Sequence, residues 1–315
     1  MQTNNLKNSI SLEDVFSLFV EKNQKFKSME LNALLTLYIK MQETKVRPDT
    51  IISYKNHLPA IIRFFNQSGA YETKHIDQKL IDKFVQYSLF NGNKTVTINK
   101  RIGMLTAMLK RTAEAGLITQ PNYKFQKLKE TTAKIAIIEK EDVKKILDQI
   151  DSMKLSHQII IYLLLTTGIR RNELVHIKVA NINFSTQSIY LEFTKTGKPR
   201  FCYFNQKLED LLKKQIEKND PNNPYLLQSG NTHIDKITIT SMLLKLKRDL
   251  KIDVLSSHKF RHLYATSLLK NGADIYTVKE LLGHQRLDIT QRYLDFTNEE
   301  LKHNNFKYNP LNDYK

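Results

Sequence analysis

The stretch 256–296 brings together side chains that could perform chemistry as well as pack. His258 and Arg261 stand three residues apart, so a helix would project both from one face. His284 and Tyr293 follow, nine residues apart. Histidine can move a proton, arginine binds anions with a planar fork of donors, and an activated phenol can act as a nucleophile. The set could therefore combine proton transfer, anion binding and nucleophilic attack at one site.

Helix-capping signals indicate how these side chains are positioned. Ser256 or Ser257 can cap the first helix of the stretch, and Asp274 can cap the second. Gly283 would end the second helix, so that a turn orients the histidine after it. Asp288 would cap a third, short helix that carries the tyrosine.

Two further candidates precede this stretch. The apolar run 159–165 predicts a buried helix that ends at a glycine turn, after which Arg170 opens a new helix. The alternating segment 189–194 and the segment 200–204 predict a β-hairpin, with Lys195 at its turn. The hairpin is the only clear β segment that the sequence indicates.

Taken singly, each candidate also fits a structural role. Arg170 could cap a helix or lie on the surface, and Lys195 could be an ordinary residue of the hairpin turn. His258 and His284 could be satisfied structural histidines, and Tyr293, between apolar neighbours, could be a core aromatic. Only the combination and its order favour a functional site.

Composition limits the classes of partner and cofactor. The 315 residues include 49 Lys and Arg against 32 Asp and Glu, a net charge of +17, which suits a polyanionic partner such as nucleic acid or an anionic membrane. No apolar run is long enough for a membrane span and no signal peptide is evident, so we expect a cytoplasmic protein. The single cysteine, Cys202, excludes an internal disulfide, and we expect it to pack. We expect no metal and no cofactor.

The N-terminal part reads as helical. Pro48 opens one helix, and another spans about 95–115 with an apolar stripe toward a core. For this second helix, a solvated basic face and a DNA-contacting face are equally supported. The basic residues of that face are Lys100, Arg101, Lys110 and Arg111.

Loss of periodicity after Gly116, in a stretch rich in Lys and Thr, predicts an interdomain linker. The predicted organisation is an N-terminal extension (1–27), a helical domain (28–118), a linker (119–136), a mixed domain (137–300) and a C-terminal tail (301–315).

The motifs resemble those of a known family. His-x-x-Arg at 258–261, Leu-Leu-Gly-His at 281–284 and Tyr293 resemble the C-terminal signature of the tyrosine recombinases, the phage integrase family. The segment 167–174 resembles the first arginine box of that family, and 194–198 resembles its hairpin lysine. All stand in the family's order.

The resemblance implies a nucleophile and groups that stabilise a phosphodiester. Tyr293 would be the nucleophile. Arg170 and Arg261 would bind the nonbridging oxygens, where negative charge accumulates in the transition state. Glu173, one turn after Arg170, would hold an active-site arginine or histidine in place.

The remaining residues of the implied set would move protons or bind the phosphate. His258 would accept the proton of the phenol, because a phenol of ordinary pKa is a weak nucleophile at neutral pH. Lys195 would protonate the departing 5′ oxygen, and His284 would donate a hydrogen bond to the phosphate.

The fold implied is mainly α. A helical, SAM-like core-binding domain and an α+β catalytic domain with a small antiparallel sheet would form a clamp around double-stranded DNA. A homotetramer would join two DNA sites and act through 3′-phosphotyrosyl intermediates and a four-way junction. DNA-bending or directionality proteins could assist, and the tail 301–315 could dock on a neighbouring protomer or on its own domain.

The short stretch before the helices favours a simple recombinase without an arm-binding domain. Asn172 departs from the Ser or Gly common in the family, but it does not touch the implied chemistry. Two alternatives stay open from the residues alone: a type IB topoisomerase, and a catalytically silent DNA-binding regulator on the same fold.

Overall fold

The structure is a computed structural model that describes residues 28–130, 136–192, 194 and 197–291. Contacts within the chain divide it into two compact units, Met1–Thr132 and Ala133–Lys315. Each unit buries a hydrophobic core of its own. In the described ranges, no helix is long and apolar enough to cross a membrane.

The first unit is helical. Pro48 stands at the first position of its helix, where its fixed φ is already helical and its missing N–H is not needed. The Asp77 carboxylate caps another helix by accepting from the N–H of Leu80 at 2.8 Å. The α-helices described in this unit are α1 (Leu31–Glu43), α2 (Pro48–Gln67), α3 (Gln78–Phe90) and α4 (Thr95–Glu114).

Periodicity predicted the buried faces of two of these helices correctly. Helix α2 buries the six apolar side chains predicted for it and α4 buries the four predicted for it, at three- and four-residue steps, because only one face of each helix meets the core. The confirmed positions are Ile51, Tyr54, Leu58, Ile61, Ile62 and Phe65 in α2, and Ile98, Ile102, Leu105 and Leu109 in α4.

The described part of the predicted linker, 119–130, has no helix or strand but is fastened to the first unit. Asn99 of α4 accepts from the N–H of Leu128 at 2.9 Å and donates to its carbonyl at 3.0 Å. Tyr123 and Phe125 pack against the first core. The segment thus continues the helical unit up to about residue 128.

The second unit surrounds the apolar helix that the sequence predicts. Ile159, Ile160, Ile161, Leu163 and Leu164 are all buried in it, where it packs against two later helices. The described helices of this unit are α5 (Lys140–Ile150), α6 (Leu155–Thr167), α7 (Arg171–Val175), α8 (Gln206–Lys218), α9 (Lys236–Asp249), α10 (Ser257–Lys270), α11 (Ile275–Leu282) and α12 (Asp288–Gln291).

The predicted hairpin is present and belongs to a larger sheet. Strands β2 (Ser188–Leu191) and β3 (Arg200–Tyr203) pair antiparallel, and β1 (Ile182–Asn183) adds a third strand. A second small antiparallel sheet pairs β4 (Gln228–Ser229) with β5 (Thr232–His233). Sequence alternation missed β1, β4 and β5 because two-residue strands are too short to show a period. The mainly helical fold with small antiparallel sheets is as predicted.

Candidate active site

The chain turns around the site are set by capping residues. Ser256 accepts from the N–H of Lys259 and begins α10, and Asp274 accepts from the N–H groups of Tyr276 and Thr277 and begins α11. Gly168 ends α6 with φ 57° and Gly283 ends α11 with φ 64°, a region that favours glycine.

Helix α10 carries two of the candidate residues. His258 is exposed in the first turn, whereas Arg261 is 2% exposed. The guanidinium of Arg261 donates to the carbonyl of Gly168 at 2.8 Å and to the carbonyl of Leu282 at 2.5 Å. One buried arginine therefore connects the turn before Arg170 to the turn before His284.

A buried carboxylate holds two further arginines. Glu173 accepts from Arg170 Nη1 through Oε1 at 2.8 Å and from Arg200 Nη2 through Oε2 at 2.8 Å. Oε2 also accepts from the backbone N–H of Arg170 at 3.0 Å, which caps the short helix α7. The side chain of Glu173 is 1% exposed, so its position is fixed by these two cations.

Three guanidinium groups converge on the last carbonyls of α11. Arg200 donates to Leu281 O at 2.6 Å and Arg261 to Leu282 O at 2.5 Å, while Arg170 Nη2 lies 3.4 Å from Gly283 O. The last carbonyls of a helix lack intrahelical donors and lie at the negative end of its dipole, which favours cations there. We call Arg170, Arg200 and Arg261 the arginine cradle. The cradle surrounds the turn immediately before His284.

His284 is fixed by that turn and by a hydroxyl group. Its Nδ1 lies 2.8 Å from Thr290 Oγ1, and its backbone N–H donates to Lys279 O at 3.0 Å. Burial and the neighbouring charges of Arg261 and Arg170 lower the pKa of His284 to about 3. The ring is therefore neutral at physiological pH. If Thr290 donates to Nδ1, the proton of the ring sits on Nε2, where it can be donated.

A second buried histidine contacts His258. The ring centroids of His258 and His262 are 4.2 Å apart, in an edge-to-face arrangement. Burial, and then the charges of His258 and Lys259, lower the pKa of His262 to about 4. His262 is thus a neutral support for the more exposed ring of His258.

The cluster has an excess of positive charge. Burial raises the pKa of Glu173, but the charges of Arg200 and Arg170 outweigh burial, so the pKa is lowered and the carboxylate stays ionised. Among the described residues, Glu173 binds two of the three cations of the cradle, and Arg261 donates to carbonyl oxygens. Such a preorganised, positive cluster is suited to an anion such as a phosphodiester.

The structure brings together five of the predicted site residues: Arg170, Glu173, His258, Arg261 and His284. Lys195 and Tyr293 lie outside the described residues, as do the tail and the N-terminal extension. Arg171, adjacent to Arg170, donates to the Thr240 hydroxyl of α9 instead.

The four basic residues predicted for DNA contact have different environments. Lys100 is exposed. Lys110 Nζ lies 3.8 Å from Glu114 Oε1 in an exposed i,i+4 ion pair. Arg101 donates to Asn93 at 3.3 Å. Arg111 donates from Nη1 to Gln42 at 2.6 Å and to Tyr38 at 3.3 Å, so part of its role is to join α4 to α1.

Sequence reasoning missed Arg200 and Thr290. A signal for Arg200 existed, because strand alternation places it on the same side as Cys202, which is 3% exposed as expected. An arginine on the buried side of a strand needs an acidic partner, and that partner is Glu173. Nothing in the sequence indicated Thr290, since its contact depends on the turn after Gly283.

Comparison with known proteins identifies the family. The profile of the phage integrase family matches residues 136–300, and the profile of the phage integrase SAM-like domain matches residues 30–130. Tyrosine recombinase XerC of Staphylococcus saprophyticus subsp. saprophyticus is 29% identical over 84% of this chain and 93% of its own length. Tyrosine recombinase XerA of Pyrococcus furiosus is 34% identical over 51% of this chain, and the match spans 58% of that relative.

Solved structures share the fold. The Tn1549 transposon integrase in complex with transposon right end DNA superimposes with a TM-score of 0.73 at 16% identity, covering 89% of this chain and 99% of that one. A lambda integrase dimer bound to a core site gives a TM-score of 0.68 at 17% identity, covering 91% of this chain and 83% of that one.

The chain belongs to the phage integrase family, the tyrosine recombinases, which break and rejoin DNA strands by phosphoryl transfer. Membership of this family supports site-specific DNA recombination as the activity of the chain. It does not favour the topoisomerase alternative or the silent-regulator alternative.

Proposed function

We propose that the chain recombines DNA by attack of Tyr293 on a scissile phosphodiester. The observation that carries this proposal is the arginine cradle, in which three guanidinium groups bind the carbonyls of residues 281–283 beside a neutral His284. The attack forms a bond between the phenolic oxygen and phosphorus and breaks the bond to the 5′ oxygen. The product is a 3′-phosphotyrosyl intermediate with a free 5′ hydroxyl.

Anion binding falls to Arg170 and Arg261 of the cradle and to His284. Arg170 and Arg261 keep donors in fixed positions, so little reorganisation is needed when negative charge develops on the nonbridging oxygens. Loss of one such donor typically costs about 10² to 10³ in rate. His284, held neutral, donates from Nε2 to one of these oxygens.

Proton transfers accompany the attack and the departure. His258, exposed at the start of α10, accepts the phenolic proton. Lys195 delivers a proton to the departing 5′ oxygen. In rejoining, a 5′ hydroxyl attacks the phosphotyrosyl bond and the same groups act in reverse.

DNA is the expected partner, since solved recombinases of this fold are bound to DNA. We expect the two units to clamp double-stranded DNA, with a homotetramer holding two sites and resolving a four-way junction. Lys100, Arg101 and Lys110 would contribute phosphate contacts in the first unit, with a smaller share for Arg111. The tail 301–315 would dock on a neighbouring protomer or on its own domain. DNA-bending or directionality proteins could assist, and the protein would act at the nucleoid.

A nicked suicide duplex tests the proposal. The protein is incubated with duplexes that carry its candidate site, and covalent adducts are resolved on denaturing gels. Wild type should give an adduct, and Tyr293→Phe should give none. Tyr276→Phe, at a tyrosine that is 65% exposed, is the matched control and should keep the adduct. Absence of an adduct with wild type on duplexes that it binds would contradict the proposal.

Strand-exchange and plasmid-relaxation assays separate the topoisomerase alternative. A recombinase exchanges strands between two labelled duplexes, whereas a topoisomerase relaxes supercoiled plasmid without exchange. Adduct formation with relaxation and no exchange would favour the topoisomerase.

A further inference from the structure

We infer that Arg200 is a positioning residue for DNA cleavage, holding Glu173 and the Leu281 carbonyl so that Arg170 and His284 are presented together. The inference rests on the proposed function and extends it to a residue outside the recognised motifs. Arg200 begins β3, immediately after the hairpin turn, and its side chain is 8% exposed.

The contacts of Arg200 reach two elements that carry site residues. Nη2 donates to Glu173 Oε2 at 2.8 Å, and Nη1 donates to Leu281 O at 2.6 Å. Glu173 uses its other oxygen to hold Arg170, and Leu281 lies three residues before His284. Arg200 therefore acts on Arg170 through Glu173, and on His284 through the helix end that contains Leu281.

The aliphatic part of Arg200 packs on the turn itself. A Cβ placed on Gly283 would lie 2.7 Å from Arg200 Cδ and 3.2 Å from its Nε. Position 283 thus requires glycine for two reasons, its φ of 64° and the closeness of Arg200. The strand and the turn that ends α11 meet at this point, so a shift of either would be transmitted to His284.

Arg200 is also one of the two cations that hold the buried carboxylate of Glu173. Glu173 is a buried carboxylate, and a buried charge without adequate partners is strongly unfavourable. With Arg200 in place, Arg170 shares Glu173 with a second cation and its Nη2 is directed toward Gly283 O. Without Arg200, Arg170 would be drawn further toward Glu173, away from the phosphate.

The test measures the rate of a single cleavage turnover on the nicked suicide duplex at saturating enzyme, with DNA affinity measured separately. Arg200→Met keeps the packing on Gly283 but loses the charge and all donors. We expect its cleavage rate to fall by about 10- to 100-fold, as is typical when a group that orients site residues is removed, while its dissociation constant for DNA changes by less than about threefold. Arg200→Lys keeps the charge and should recover part of the loss. Arg248→Met, at an exposed arginine, is the matched control and should cleave at the wild-type rate.

The amplitude of the reaction separates positioning from folding. A folding defect lowers the fraction of enzyme that reacts, whereas loss of positioning lowers the rate and leaves that fraction unchanged. A fall in amplitude alone, or a wild-type rate for Arg200→Met, would overturn the inference.

A double variant covers the case in which Arg200→Met does not fold. Glu173→Gln/Arg200→Met removes a negative and a positive charge together, so it leaves no buried carboxylate that has lost a partner. Because both residues act through one ion pair, its rate should be close to that of Glu173→Gln, and additive losses would contradict the inference.

If wild type itself forms no adduct, the proposed function fails; if wild type reacts and the Arg200 variants equal it, only this inference fails.

Discussion

Arg261 donates a hydrogen bond from Nη1 to the carbonyl oxygen of Gly168 over 2.8 Å, and so joins two motifs that lie 93 residues apart in the chain. Its Nη2 completes the link to Leu282. The forked geometry of arginine is needed for both contacts at once, and a lysine offers only one point of charge.

Arg261→Lys should therefore slow single-turnover cleavage by about 10² to 10³ while DNA is still bound. Cleavage of a nicked duplex at saturating enzyme measures this. Arg248→Lys, at an exposed site, is the control and should behave as wild type. Equal rates for wild type and Arg261→Lys would show that the fork is dispensable.

Gly168→Ala should destabilise the second unit by about 2–5 kcal/mol, from left-handed strain and overpacking together. The added Cβ would lie 2.5 Å from Tyr264 Cδ1 and 3.0 Å from Leu282 Cδ2. Gly230→Ala is the matched control: its φ is 54°, and nothing lies within 4 Å of an added Cβ. It should cost only about 1–2 kcal/mol. Urea unfolding followed by circular dichroism measures the free energy of unfolding of both variants. Similar losses of stability in the two would argue against the steric account.

Thr290→Val should slow cleavage by about 10- to 100-fold, because it removes the hydroxyl beside His284 Nδ1 without changing the volume much. Thr290 is fully buried, so no water is expected to replace the hydroxyl. Thr290→Ser keeps the hydroxyl and should retain most activity. A slow Thr290→Ser variant combined with a fast Thr290→Val variant would contradict a role for the hydrogen bond.

Stability should fall as the pH drops below about 6.5, the pKa of an unfolded histidine. The pKa values of His284 and His262 in the folded chain are lowered to about 3 and about 4, so the unfolded state binds more protons in this window. Each histidine contributes a slope of at most about 1.4 kcal/mol per pH unit. The stabilising contribution of the two neutral histidines is fully present above about pH 6.5 and is lost as the pH falls toward their pKa values in the folded chain.

Urea unfolding between about pH 7.5 and pH 5 measures this slope. His262→Gln cannot be protonated and should flatten the curve relative to wild type. An unchanged slope would mean that His262 is not a neutral buried group.

Arg111→Met should lower the stability of the first unit by about 1 kcal/mol, since Arg111 joins α4 to α1 through Gln42 and Tyr38. Lys100→Met is the comparison, because Lys100 is exposed. It should leave stability unchanged and reduce the salt dependence of DNA binding by about one unit of slope. The reverse pattern would assign the phosphate contact to Arg111.

The sequence by itself determined the helical periodicity, the caps and the chemical types of the site. Ser256, Asp274, Gly168 and Gly283 act locally, through hydrogen bonds or a positive φ, so their roles could be inferred from neighbouring residues. The spacing of the motifs also identified the family, because residue types in a fixed order are visible without coordinates.

Tertiary structure alone decided how the motifs meet. The partners of Arg261, Glu173 and Arg200 lie far away in the sequence, and which carbonyl each guanidinium reaches depends on how α6, β3, α10 and α11 pack. The same holds for the neutral state of His284, which follows from burial and from charges on other elements. Long-range packing and desolvation have no local signature, and for that reason Arg200 and Thr290 became apparent only in the folded chain.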